Sequence, residues 1–199
     1  DIVTEFRGRG DEIRVYPLSF SEYCSGTNLS ANEAWKDYYT YGGMPLVWTL
    51  ETHEERSSYL KNLFSQTYIK DVLERNNIRK DEEVLEILLN VLSSSVGSLT
   101  NPSKLSKTFD SERHISISPG TIDNYISFFM NAYLIDRAER YDVKGRKYIK
   151  TPLKYYFIDP GLRNARLGFR QIEETHLMEN VLYNDLLRRG YDVDVGVVE

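Results

Sequence analysis

Between residues 19 and 76, apolar positions recur at steps of three and four: Trp35, Tyr38 and Tyr39, then Tyr59, Leu60, Leu63, Phe64, Tyr68 and Val72. That spacing puts side chains on one face of an α-helix, so the stretch is predicted to be helical with these residues in the core. Gly42, Gly43 and Pro45 interrupt it, and the glycine pair predicts a tight turn, because glycine reaches positive φ at little cost. A further helix is predicted over about 81–95, where Val84, Ile87, Leu88, Val91 and Leu92 share a face. Pro102 then marks the start of a helix of about two turns, with Leu105 and Phe109 four apart. Ser118 and Pro119 form an N-cap and a first-turn proline, and the inward face that follows is Ile122, Tyr125, Ile126, Phe129, Met130 and Tyr133.

Strand-like pattern takes over at 134–141, turns through 142–147 (DVKGRK) around Gly145, and returns over 148–158 with Tyr155, Tyr156 and Phe157. Three helices followed by a hairpin is the order of a winged helix-turn-helix. Asp159, Pro160 and Gly161 turn the chain into a short helical piece, LRNARL. A helix over about 173–189 is then predicted to bury Leu177, Met178, Val181, Leu182 and Leu186 and to end at Gly190. Alternation also predicts strands at 12–16 (EIRVY), stopped by Pro17, and at 191–198. The fold class expected is therefore mainly α with a small β component (α+β): a helical bundle, a winged helix-turn-helix, then the opening of a truncated α/β unit.

The longest uncharged stretch, 87–103, holds two Asn, a Pro, a Gly and five Ser, so no membrane-spanning segment or membrane partner is predicted. A single cysteine, Cys24, excludes an internal disulfide and cysteine-based zinc sites, fits a reducing cytoplasm, and is expected to be a partly buried small apolar residue. No signal peptide is evident. The chain starts at Asp1 without a methionine and stops at Glu199 just after the last strand-like stretch, so both ends look cut and a fragment is expected.

Charge is uneven. Residues 1–99 carry 10 basic and 16 acidic side chains, 100–157 carry 10 and 6, and 158–199 carry 5 and 8. A basic middle in an acidic chain marks a candidate polyanion-binding module. Lys144, Arg146, Lys147 and Lys150 sit on the hairpin, where a wing meets phosphates. The helix before it disagrees: from Thr121 to Tyr133 there is no Lys or Arg, so base reading is left to Asn124 and Asn131, and Asp123 would repel phosphate. Two readings stay open: a module contacting double-stranded DNA through Lys144, Arg146, Lys147, Lys150 and Asn124, or one for self-association or a protein partner. No phosphate loop, GxGxxG, HExxH, CxxC or GxSxG occurs. His53, His114 and His176 lack a second histidine at ligand spacing, and Glu54, Glu55, Asp81, Glu82 and Glu83 read as helix-surface charge. Neither catalytic nor metal-ligating residues are assigned.

Six phrases together resemble one family: EFRGRGDEIRVYPLSFSEY at 5–23, YYTYGGMP at 38–45, YIKDVLERNNI at 68–78, SPGTIDNYISFFMNAYLI at 118–135, KYYFIDPGLRNARL at 154–167 and MENVLYNDLLRRGYDVDVG at 178–196. They resemble the C-terminal half of prokaryotic AAA+-type ATPases in which a domain of unknown function and a restriction-endonuclease-like module follow the nucleotide-binding core. The resemblance implies a strand ending that core at 1–18, a helical domain at 19–98, a winged helix at 99–158 and the start of the endonuclease-like unit at 159–199. It implies that ATP and Mg²⁺ are bound upstream, in a parent ATPase, so that no cofactor and no ATP hydrolysis are expected in this chain by itself. Arg7 and Arg9 match the family's RGR segment, where an arginine contacts a γ-phosphate or lies as a plain surface residue. Glu179 matches the glutamate on the first helix of the endonuclease-like module, whose other acidic residues and lysine would follow Glu199; an incomplete nuclease is thus the weaker alternative.

Overall fold

The computed structural model describes residues 13–78, 81–145, 147–170 and 172–197, with backbone alone at 67, 147, 149–151 and 197. The fold is mainly helical with a small three-stranded sheet, the α+β class expected. Its first half holds α1 (Phe20–Gly26), α2 (Ala31–Tyr41), a 3₁₀ turn (Pro45–Thr49) and α3 (His53–Asn62). From α3 the chain runs through a π-helical turn (Leu63–Ile69) into α4 (Lys70–Arg75). Ser19, Ser30 and Thr52 cap α1, α2 and α3, each in a reciprocal box with Glu22, Glu33 or Glu55 three residues on.

Then follow α5 (Glu82–Ser94), α6 (Pro102–Arg113), α7 (Pro119–Asn131), β1 (Ile135–Asp142), β2 (Lys147–Phe157), α8 (Pro160–Arg166), α9 (Glu174–Arg188) and β3 (Val195–Val197). Helices α6, α7 and α8 start alike: Asn101, Ser118 and Asp159 accept a backbone N–H in the first turn, and a proline follows where no N–H is needed. Helix α6 is longer than predicted, 12 residues, and stops where His114 turns left-handed at φ 56°.

Strands β1 and β2 pair antiparallel, β3 adds parallel to the other edge of β1, and the order is β2-β1-β3. The α5–α6 connection runs along the outer edge of β2: Thr100 and Leu153 exchange backbone hydrogen bonds of 2.7 and 2.8 Å, and the Gly97 N–H donates to the Tyr155 carbonyl at 3.1 Å. Leu88, Leu92, Phe109, Ile122, Ile126, Phe129, Leu134 and Phe157 join in one core. Strand β2 ends in three consecutive buried residues, Tyr155 to Phe157, the pattern of a strand covered on both faces, and Ile158 just after it is buried as well. On the α9 side, the Tyr156 ring stacks on Tyr183, with centroids 4.1 Å apart.

Four expectations need correction. Residues 13–16 form no strand, and Ile13 and Val15 are 86% and 90% exposed; the segment is held at its far end, where the Leu18 N–H donates to the Gly43 carbonyl and the Tyr38 hydroxyl to the Leu18 carbonyl. Helix α9 buries Leu177 and Val181 but leaves Met178 and Leu182 52% and 57% exposed, because its inner face carries Asn180, Tyr183 and Asn184. Tyr133 is not on the inner face of α7; it lies past the helix at φ 54° and is half exposed. Of the strand predicted at 191–198, the described part is Val195–Val197, paired with Arg140–Asp142.

Candidate functional site

The N-terminal ends of α6 and α7 open onto one groove that the β1–β2 hairpin completes. Asn101, Pro102 and Ser103 line it from α6, Pro119, Gly120 and Asp123 from α7, and Arg137, Glu139, Tyr148 and Leu153 from the strands. The two helix ends are built by the caps: the Asn101 Oδ1 accepts the Lys104 N–H at 2.7 Å, and the Ser118 Oγ accepts the Thr121 N–H at 3.1 Å. Each end carries the positive pole of a helix dipole. Arg137 is half-buried, and among the described residues its guanidinium has no hydrogen bond or ion pair; its backbone N–H donates to Asp136 and its carbonyl accepts from the Tyr183 hydroxyl. Asp123 and Glu139 bring the opposite charge to the same groove.

The predicted DNA-binding residues divide. Lys144 is exposed in the hairpin turn, where the Asp142 carboxylate accepts the Gly145 N–H at 2.8 Å. Lys147 and Lys150 lie on β2, Asn124 is exposed on α7, and Arg146 lies outside the described residues. The hairpin's far end is not purely basic: Asp194, the residue before β3, accepts a hydrogen bond from the Tyr148 hydroxyl at 3.1 Å. Arg7 and Arg9, singled out for nucleotide contact, also lie outside the described residues.

Glu179, on α9, meets β2 instead of solvent. Its Oε1 accepts from the Lys154 ammonium at 2.6 Å and from the Tyr156 hydroxyl at 2.7 Å. Burial works to raise its pKa, but these two hydrogen bonds outweigh it and hold the carboxyl below its ordinary value. Among the described residues no group of three or more His, Cys, Asp or Glu side chains is placed to hold a metal ion. The next residue of α9, Asn180, clasps the backbone of Phe157, its Oδ1 accepting the N–H at 2.8 Å and its Nδ2 donating to the carbonyl at 2.6 Å, while Asn184 donates to the Phe157 and Ile158 carbonyls.

Those contacts lead into a close joint between the Gly42–Gly43 turn and the start of α8. Asp159 is fully buried, with its carboxylate accepting the Gly43 N–H at 2.7 Å and the Leu162 N–H at 3.1 Å. Burial pushes its pKa up to about 6 against the pull of these donors and of Arg188. Gly42 turns at φ 77°, and a Cβ on Gly161 would stand 2.0 Å from the Tyr41 carbonyl oxygen. Asn164 ties the joint from α8 by donating to the Tyr39 and Thr40 carbonyls, and the buried Arg163 donates to the Ser93 carbonyl at 2.7 Å.

Two phrases set apart in the sequence, YYTYGGMP and IDPGLRNARL, thus meet in space. Both lie within residues 32–173, which match a family model described as Domain of unknown function (DUF8612). The chain belongs to this family. An uncharacterized protein of Haemophilus influenzae is 35% identical over 204 residues, covering 100% of this chain and 50% of its own length. Uncharacterized protein MJ1544 of Methanocaldococcus jannaschii is 26% identical over 206 residues, covering 96% of the chain and 45% of its own length. The DUF8612 chain therefore spans about half the length of these curated relatives. No solved structure matches it. No helix among the described residues is long and apolar enough to cross a membrane.

Proposed function

We propose that this chain is a non-catalytic winged-helix region that contacts double-stranded DNA through the groove and the hairpin beside it. The observation that carries the reading is the convergence of the α6 and α7 N-terminal ends and the β1–β2 hairpin on one groove. Support comes also from the connection after α5, which bridges to β2 through Thr100 and Leu153, so that helix, bridging segment, two helices and hairpin follow in the manner of a winged helix. Lys144, Lys147 and Lys150 supply phosphate contacts; α7 presents Asn124 without any Lys or Arg, so binding is weakly sequence-selective. In this reading the chain is the C-terminal part of an AAA+-type ATPase, and the relatives' doubled length leaves room for an ATP- and Mg²⁺-binding half.

Fluorescence anisotropy with labelled duplex across about 50 to 200 mM salt tests the proposal: affinity should fall steeply with salt, and neutralising Lys144, Arg146, Lys147 and Lys150 together should flatten the slope of log K against log salt by about 3.6, at about 0.9 per contact. Salt-independent binding that survives the quadruple variant would contradict it.

A second reading, self-association or a protein partner, is favoured by the Met178–Leu182 pair, which stands exposed on adjacent turns of α9. Replacing both with serine should then shift a concentration-dependent dimer to monomer by light scattering, whereas a wild-type chain that is monomeric at every concentration removes self-association.

A further inference from the structure

We propose that the outer side of α9 is a two-fold pairing surface, on which a second copy of this chain lays its own α9 antiparallel. The proposal rests on the self-association reading above, whose partner and geometry it names, and is independent of the DNA-binding one.

Thr175, Met178, Leu182, Asp185 and Arg189 follow one another along α9 and its C-cap at steps of three, four, three and four. That is the 3.5-residue period of a seam between two helices, and it falls on the outward side. Thr175 and Arg189 are exposed, and Met178 and Leu182 expose more than half of their surface at the middle of the stripe. The opposite side of the helix is already committed. Asn180 and Asn184 hold the backbone of Phe157 and Ile158, and Val181 packs in a cluster with Tyr23, Ala34 and Tyr38. Rolling α9 to hide Met178 and Leu182 would strip those buried polar groups of their partners, so the pair can be covered only from outside.

Charge selects what covers it and in which direction. Glu174 stands at the start of the helix, where its carboxylate accepts the Trp35 indole N–H at 2.8 Å, and Arg189 stands at the end, where its Nε donates to Asp185 at 2.7 Å. Both contacts are exposed, and both groups keep hydrogen-bonding capacity beyond them. A second copy laid antiparallel brings Glu174 of each chain beside Arg189 of the other, twice over, and sets the two helix dipoles in opposite directions. A parallel copy would set like charge against like. The stripe is therefore complementary to itself, as a two-fold interface requires, with Leu182 of both copies near the axis and Met178 beside it. A helix of 15 residues offers a seam of only about 22 Å, short of what a standard interface of about 1,600 Å² uses, so the dimer is weak and forms with rising concentration.

Sedimentation velocity of the whole chain, from micromolar to submillimolar concentration, tests the pairing in wild type, Glu174→Arg, Arg189→Glu and the double variant carrying both. Wild type should pass from monomer to dimer. Each single reversal should weaken association several-fold, because it sets two like-charged contacts in every dimer. The double variant should return towards wild-type affinity, since opposite charges again face each other; this rescue also separates lost pairing from a damaged fold. A wild-type chain that stays monomeric throughout would overturn the pairing together with the self-association reading. A dimer in which the double variant associates no more tightly than the single ones would overturn the antiparallel α9 pairing and leave self-association through another face standing.

Discussion

Asp159→Ala is expected to destabilise the chain by about 3 kcal/mol, measured by urea unfolding at neutral pH. The carboxylate is an N-cap and a cross-link at once: it closes the first turn of α8 and reaches back to the Gly43 N–H 116 residues earlier in the chain. Alanine leaves these donors facing each other in a space with no water-exposed surface, and the cost of unsatisfied buried N–H groups exceeds the gain from no longer burying a charge. Asp159→Asn separates charge from shape. A carboxyl whose pKa is raised on folding, here to about 6 from 3.8, stabilises the fold fully below its unfolded value and loses that increment as pH rises through 6. The stability of wild type relative to Asp159→Asn should therefore decline between about pH 4 and 6 and level off above. A difference that is flat over this window would show that Asp159 titrates as an ordinary carboxylate.

Gly161→Ala is expected to cost about 3 kcal/mol or more in the same assay, through steric overlap instead of lost hydrogen bonds. The added methyl would lie 2.0 Å from the Tyr41 carbonyl oxygen and 2.4 Å from its carbon, both backbone atoms that cannot swing aside. Relief requires α8 to move off the end of α2, which also stretches the Asn164 bonds to the Tyr39 and Thr40 carbonyls. Gly190→Ala is the control. Gly190 has nothing within 4 Å of an added Cβ but sits at φ 81°, so its replacement should cost only about 1 kcal/mol of backbone strain. Equal costs at the two positions would mean that the α2–α8 joint is loose.

Local signals explain which elements were legible. Asn101-Pro102, Ser118-Pro119 and Asp159-Pro160 are cap-and-proline pairs whose hydrogen bonds close within three residues, so each helix start could be read from adjacent letters. The hairpin around Gly145 was equally local. What failed depended on distant partners. Counting apolar residues on α9 favoured Met178 and Leu182, but the buried face is chosen by the Phe157 and Ile158 backbone, whose polar groups need Asn180 and Asn184. The 12–16 pattern alternates as a strand should, yet alternation supplies no pairing strand.

The candidate site was half visible for the same reason. Lys144, Lys147 and Lys150 stand out as a basic cluster in sequence. Arg137 did not, because only the β1–β2 register and the two helix ends give it a groove to face and Tyr155 as its neighbour. The glycine pair and the Asp-Pro-Gly turn were each read as turns, while their mutual contact spans more than half the chain.

Mapping a short DNA duplex onto the ¹⁵N amide spectrum at low salt tests the central claim most directly. The largest shifts should fall at 101–104, 118–124 and the hairpin turn, and they should collapse together as salt is raised. Shifts confined to α1–α4, or centred on the exposed Met178 and Leu182 face of α9, would contradict a groove-and-wing contact.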